Sequence, residues 1–355
     1  MRIVITGATG NVGSALLRRL TRTGEHDLVG VVRRRPEDTA PYDEVEWVTL
    51  DLTRPEDEGA LQVACAGADA VVHLAWGFQP TYREDHLAEL GVGGTRRVIE
   101  AVRRGGVRHL VHMSSVGAYS PKRDDAPVDE SWPTEGVPSS MYSRHKAAAE
   151  RLLDQLEGER TGVVVTRMRP GIVGQRDAGS ALLRYAVPAL VPASVLGHVP
   201  VLPLDRRLAV PMVHADDLAD AIARALESRA PGAFNVAAAP PVTATDIAAA
   251  LDARLVHVPA AALRAAVSLS WHARLQQLDA GWIDLGYAVP LMDTSRATSE
   301  LGWSATRDAV SVLRETVDGM RDAAAGRSPV LRPRSVAAGL GRFLRHGPVS
   351  ARRRP

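Results

Sequence analysis

A glycine-rich turn that begins at residue 7 constrains this chain more than any other feature. Gly7-Ala8-Thr9-Gly10-Asn11-Val12-Gly13 follows the short β-rich run Arg2 to Thr6 and leads into Val12 to Thr23, where Val12, Ala15, Leu16 and Leu20 recur at helical spacing. A strand, a tight glycine turn and a helix in direct succession open a parallel βαβ unit. Gly7 permits the turn, Gly10 lets backbone approach a phosphate without a Cβ in the way, and Gly13 lets helix pack on strand. The helix N-terminus then faces an anion, so the turn, with Thr9, Asn11 and Val12, reads as a cradle for a dinucleotide pyrophosphate.

The alternation continues. Strands are expected at Leu28 to Val32, Glu46 to Leu50, Ala70 to Leu74, His109 to Met113 and Val163 to Arg169, with helices at Gly93 to Arg104 and Ser143 to Leu156. This pattern predicts an α/β fold built on a doubly wound parallel sheet. From Pro170 to Val213 the chain is rich in Pro and Gly, the kind of segment in which a pocket or lid is built. Helices follow at Asp216 to Glu227, Ala244 to Ala253 and Asp308 to Ala324. The expected division is a dinucleotide-binding domain over 1–170, with 205–240 returning to it, a smaller substrate-binding region over 171–204 and 241–326, and a basic tail over 327–355.

Composition excludes several classes. Cys65 is the only cysteine among 355 residues, so neither an intramolecular disulfide nor a thiolate zinc site can form, which suits a reducing cytoplasm. The eleven His show no metal-binding spacing, and no metal is expected. Tyr185 to Leu204 is uncharged and long enough to span a bilayer, but Pro188, Pro192, Pro200 and Pro203 would break the helix repeatedly, so a buried or lid-like segment is expected. Residues 327–355 hold eight Arg and no acid; removing these from the 43 basic residues leaves 35 against 41 acidic ones. The body is therefore mildly acidic, which argues against nucleic acid as a partner. The tail reads as largely disordered, with a short amphipathic helix conceivable over Val336 to Leu344.

The end of the second strand bears on the choice of dinucleotide. An acidic residue there would bond the free ribose 2′-hydroxyl of NAD, but Val31-Val32 runs into Arg33-Arg34-Arg35. Guanidinium groups suit a 2′-phosphate, so NADP(H) is preferred over NAD(H).

A candidate proton-transfer pair follows. Tyr142 and Lys146 stand four residues apart near a helix start and share a face, where an adjacent cation is expected to lower the phenol pKa toward neutrality. Among the 43 basic residues only Lys122 and Lys146 are Lys, so a requirement for Lys at 146 is implied by the chain's own bias.

Together with Met113-Ser114-Ser115-Val116-Gly117-Ala118-Tyr119, these motifs resemble the extended short-chain dehydrogenase/reductase family, which includes NAD-dependent epimerases and dehydratases. The resemblance covers about residues 1–320 and extends to Leu50-Asp51-Leu52, His73-Leu74-Ala75, Arg169-Pro170-Gly171, Val213-His214-Ala215-Asp216-Asp217 and Leu301-Gly302-Trp303. It implies a Rossmann sheet in which Ser115 bonds the substrate oxygen, Tyr142 transfers the proton and Lys146 holds the nicotinamide ribose. It also implies that Asp51 and Leu52 contact adenine, that Leu74, Ala75 and Trp76 line the cofactor, and that Pro170 lies near the nicotinamide. Ser114 is the rival for the serine role. Gly91 replaces an Asn usual in the family and puts its proton-relay water in doubt. Family members are often homodimers.

Trp76, Phe78 and Tyr82, with Tyr119, Met141 and residues 185–204, are expected to form a mainly apolar pocket. Asp216 or Asp217 is expected to cap the following helix. The leading reading is hydride transfer to or from a carbonyl or secondary alcohol of a small, fairly apolar molecule. The alternatives are a nucleotide-sugar epimerase or dehydratase with tightly bound NAD, and a non-catalytic NADP-sensing regulator.

Overall fold

Ile3 and Ile5 enter one hydrophobic core and Val4 another, because successive side chains on a strand face opposite sides of a sheet. The computed structural model describes residues 1–77, 84–186, 193–273, 275–276 and 278–333. Its strands are β1 Arg2–Thr6, β2 Asp27–Val32, β3 Glu46–Thr49, β4 Ala70–His73, β5 His109–Met113, β6 Val164–Pro170, β7 Ile172–Gly174, β8 Val201–Leu204, β9 Ala209–His214, β10 Gly232–Val236, β11 Ala238–Thr243 and β12 Arg254–His257. Seven of them form one sheet in the order β3-β2-β1-β4-β5-β6-β10, with every pair parallel. The order reverses between β1 and β4, and in such sheets ligands bind in the crevice beyond the strand ends at that point.

Helices cover both faces. Asn11–Leu20 and Ala215–Ser228 contribute Leu16, Leu17, Leu218 and Ile222 to the core on one side. Glu58–Cys65, Gly94–Arg104 and Met141–Gly158 contribute Leu61, Val98 and Leu153 on the other. Full coverage explains why β4 and β5 are buried at every position rather than at alternate ones.

The segment after Pro170 carries more regular structure than its Pro and Gly content suggests. β7, β9 and β11 form a small mixed sheet, and β8 pairs with β12. A third core, with Val116, Val210, Met212, Leu285 and Val312, joins this sheet to the helices Ala280–Ala288 and Ala309–Arg321. The sequence reading does not mark the helix Ala260–His272, which buries no residue fully.

Two expectations are corrected. The cap of Ala215–Ser228 is His214, whose Nδ1 accepts the amide of Asp216 at 3.0 Å; Asp216 instead pairs with Arg18 at 2.8 Å, and Asp217 accepts from Thr306. The tail is not disordered from residue 327, since Ser328 and Leu331 are each only 1% exposed and Leu331 packs on Ala178, Ala181 and Leu182. Residues 334–355, and with them the expected helix at 336–344, lie outside the described residues, as do Phe78, Tyr82 and residues 187–192. No helix among the described residues is long and apolar enough to cross a membrane.

Candidate active site

Parallel strands end on the same edge of a sheet, and that edge gathers the candidate residues. Gly7 follows β1, Arg33 follows β2, Asp51 lies just past β3, Leu74 follows β4, Ser114 and Ser115 follow β5, and Pro170 closes β6.

The glycine turn has the geometry its sequence implies. Gly7 adopts φ +72°, and a Cβ there would stand 2.7 Å from the Ala75 amide nitrogen. A Cβ on Gly13 would stand 2.6 Å from the Ala8 carbonyl carbon, so helix and turn touch only because both positions are bare. Gly10 caps the helix Asn11–Leu20 without a side-chain hydrogen bond, which leaves first-turn N–H groups for an anion. The turn therefore fits a dinucleotide pyrophosphate. Asn11 enters through its backbone alone: its side chain is committed to the Val173 carbonyl at 3.0 Å and to Gln175 at 2.6 Å. Asp51 is 8% exposed and its carboxylate accepts the Thr53 amide and hydroxyl, while Leu52 is buried in the core.

The proton-transfer face rests on the helix Met141–Gly158. Ser140 caps it, starting it two residues earlier than periodicity indicates and placing Tyr142, Lys146 and Glu150 on successive turns of one face. Gly117 makes room for the phenol, since a Cβ there would stand 2.9 Å from the Tyr142 ring. The Ser115 side chain stands beside it, 3.4 Å from the same Cβ position, and its Oγ accepts the Gly117 amide at 3.0 Å. Ser114 faces elsewhere: its hydroxyl donates to Glu150 at 2.5 Å.

Lys146 is 2% exposed, donates to the Met113 carbonyl at 2.7 Å and stands 3.5 Å from the centre of the Trp76 ring, a cation–π contact. Burial holds its ammonium well below the ordinary lysine value, with Glu150 opposing. The expectation that Lys146 depresses the Tyr142 pKa is corrected. Its ammonium stands 6.0 Å from the phenol ring centre, and burial pushes Tyr142 up to about 12 against the lowering influence of Ser115.

Trp76 explains Gly91. A Cβ at residue 91 would lie 3.0 Å from the Trp76 ring, tighter than an ordinary contact, so an Asn there requires the indole to shift. Gly91 lies in a π-helical turn, Glu89–Gly93, a local distortion that tends to accompany functional sites.

Sequence reading missed Glu150 and Trp282. Glu150 is fully buried and pairs with Arg169 and Arg167, each at 2.9 Å. Burial raises its pKa, but Arg169, Arg167 and the Ser114 hydroxyl outweigh that and hold it at about 2. Its i+8 spacing from Tyr142 was the available signal. Trp282 lies 5.3 Å from the Tyr142 ring centre, with Trp76 edge-on at 6.4 Å on that ring. Tyr119, expected in the pocket, is instead 0% exposed, donating to Asn235 at 2.7 Å and accepting from Arg169 at 3.1 Å.

A Rossmann sheet with a glycine cradle at its switch point is the architecture of a dinucleotide-binding protein, and a Ser, Tyr and Lys cluster stands on the same edge. Residues 3–237 match the profile of the NAD dependent epimerase/dehydratase family, and the chain belongs to that family. It is 27% identical over 318 residues, 89% of its length, to an uncharacterized protein of Mycobacterium tuberculosis (strain ATCC 25618 / H37Rv), of which that match covers only 29%. It is 30% identical over 207 residues to the decarboxylating sterol-4-alpha-carboxylate 3-dehydrogenase of Saccharomyces cerevisiae, covering 55% of this chain and 56% of that one. Among solved structures, the UDP-glucose 4-epimerase of Thermus thermophilus in complex with NAD shares the fold at TM-score 0.65 and 24% identity, over 91% of this chain and all of that one.

Proposed function

We propose that this protein is an NADP(H)-preferring reductase acting on the carbonyl of a small, fairly apolar molecule, with the reverse oxidation available to the same site. The observation that carries the reading is the placement of Ser115 beside Tyr142, both against Gly117, with Tyr142 one helical turn from Lys146 on the edge that holds the glycine cradle. The glycine turn would hold the pyrophosphate, and Tyr142 with Lys146 the nicotinamide ribose. When bound, the nicotinamide supplies the hydride for the carbonyl carbon.

The remaining chemistry belongs to the chain. Ser115 donates a hydrogen bond to the carbonyl oxygen, and the Tyr142 proton moves to that oxygen as the alcohol forms. Burial keeps the Tyr142 phenol protonated at neutral pH, which makes it an acid in hand and favours reduction. The phenolate left behind regains its proton from solvent, and burial returns it to the protonated form. Tyr142 lies between Trp76 and Trp282, so the site is walled by indole, in keeping with an apolar substrate; the yeast relative's sterol chemistry supports the same reading. Arg33 and Arg34 support the NADP preference, since no carboxylate among the described residues pairs with either.

The test is a screen of apolar ketones with NADPH and with NADH, following loss of the reduced nicotinamide. Wild type is expected to turn over faster with NADPH, and Tyr142→Phe to lose on the order of 10²- to 10⁴-fold in rate while retaining nucleotide binding. NAD retained through purification, with no reduction of any ketone, would favour the nucleotide-sugar epimerase or dehydratase reading instead.

A further inference from the structure

The segment after the last helix does not leave the molecule. The Gly326 amide donates to the Leu331 carbonyl at 2.9 Å and closes residues 326–331 into a loop. Inside it the buried Ser328 hydroxyl donates to the carbonyl of Thr9 at 2.7 Å and accepts the Leu331 amide at 3.1 Å. Thr9 is the centre of the glycine turn, so this loop is fastened to the phosphate cradle itself. Leu331 plugs a small apolar site against Ala178, Ala181 and Leu182. Arg184 adds hydrogen bonds to the carbonyls of Val330 and, at 2.5 Å, Arg332. Three attachments, through Ser328, Leu331 and Arg184, hold a segment of eight residues, 326–333, across one end of the cradle.

Near its end the segment carries Arg332, which is exposed and close enough to Arg34, just past β2, for its charge to act on that guanidinium. Arg33 has a buried Nη1 with no hydrogen-bond partner. Burial, then the charges of Arg332 and Arg33, hold Arg34 below the usual guanidinium value, and among the described residues no carboxylate pairs with it. Like charges gathered in this way are unfavourable unless an anion joins them.

We propose that residues 326–333 form a strap over the phosphate cradle that adds the Arg332 guanidinium to those of Arg33 and Arg34, completing a subsite for the 2′-phosphate of the adenosine moiety. This rests on the NADP(H) reading above and deepens it, because part of the cofactor choice is then made by a segment some 300 residues from the glycine turn, as the Ser328 to Thr9 contact across 319 positions shows. The strap orders the turn through Ser328 and discriminates through Arg332.

Calorimetric titration of the full chain with 2′,5′-ADP, 5′-ADP, NADPH and NADH tests the strap without turnover. Arg332→Ala is expected to weaken 2′,5′-ADP and NADPH by about 5- to 10-fold while leaving 5′-ADP and NADH within about twofold, and Arg332→Glu to weaken the phosphorylated pair further. Because Arg332 is exposed, both variants should melt with wild type. A wild type that prefers NADPH, with both Arg332 variants binding all four ligands as wild type does, would overturn the strap and leave the NADP(H) reading standing. A wild type that binds 2′,5′-ADP no better than 5′-ADP would overturn both.

Discussion

The two ends of the candidate site treat positive charge in opposite ways. At the proton-transfer end Arg167 and Arg169 are buried, and Glu150, Asp154 and Glu157 answer them. At the nucleotide end Arg33, Arg34 and Arg332 have no carboxylate partner among the described residues. A buried cation with its partner is part of the frame, since removing one member strands the other in low dielectric. Cations left without a partner at a site edge are poised for an anionic ligand and contribute little to folding. The contrast separates residues that build the site from residues that use it.

The largest expected effect is on the paired side. Glu150→Gln should destabilise the fold by about 3–5 kcal/mol in urea denaturation, because Arg169 keeps only neutral partners and the Ser114 contact weakens. A loss below about 1 kcal/mol would show that the network is decoration and erase the contrast.

The same carboxylate sets a pH dependence. Its folded pKa of about 2 lies below the ordinary 4.5, so its contribution is complete above pH 4.5 and is lost as pH falls from there toward 2. Urea midpoints taken at neutral pH and at about pH 3 should fall for wild type and fall distinctly less for Glu150→Gln. Equal falls would place the acid sensitivity elsewhere.

Between the two ends, Gly91→Asn should force Trp76 off Lys146, at a cost of about 1–3 kcal/mol and with a change in tryptophan emission. Unchanged emission and stability would mean that the indole placement does not depend on a bare residue 91. The smallest effect belongs to the unpaired side: Arg34→Ala should leave stability within about 0.5 kcal/mol in the same denaturation assay.

Much of the nucleotide half was legible from sequence, because it depends on backbone geometry that only certain residues allow. Gly7 and Gly13 mark positions where a Cβ collides with backbone, and such constraints show in the bare sequence. Tyr142 and Lys146 were legible through spacing and through the rarity of Lys. What they do electrostatically was not, since burial rather than the neighbouring ammonium dominates the phenol. Glu150 looked like any acid on a helix, because its arginine partners come from β6, a strand that packs beneath it. Ser328 and Leu331 were hidden by the arginines and prolines around them, whose composition suggests a disordered tail. Only the chain path, which brings residue 328 back to residue 9, reveals that they are buried.

The claim that unpartnered arginines mark the ligand end is tested most directly by titrating NADPH and NADH against tryptophan emission in wild type and in Arg33→Asp. Tighter NADPH binding in wild type, reversed in the variant with the melting temperature unchanged, is the predicted result. Equal affinities for the two dinucleotides in wild type, or a preference for NADPH that survives Arg33→Asp, would contradict it.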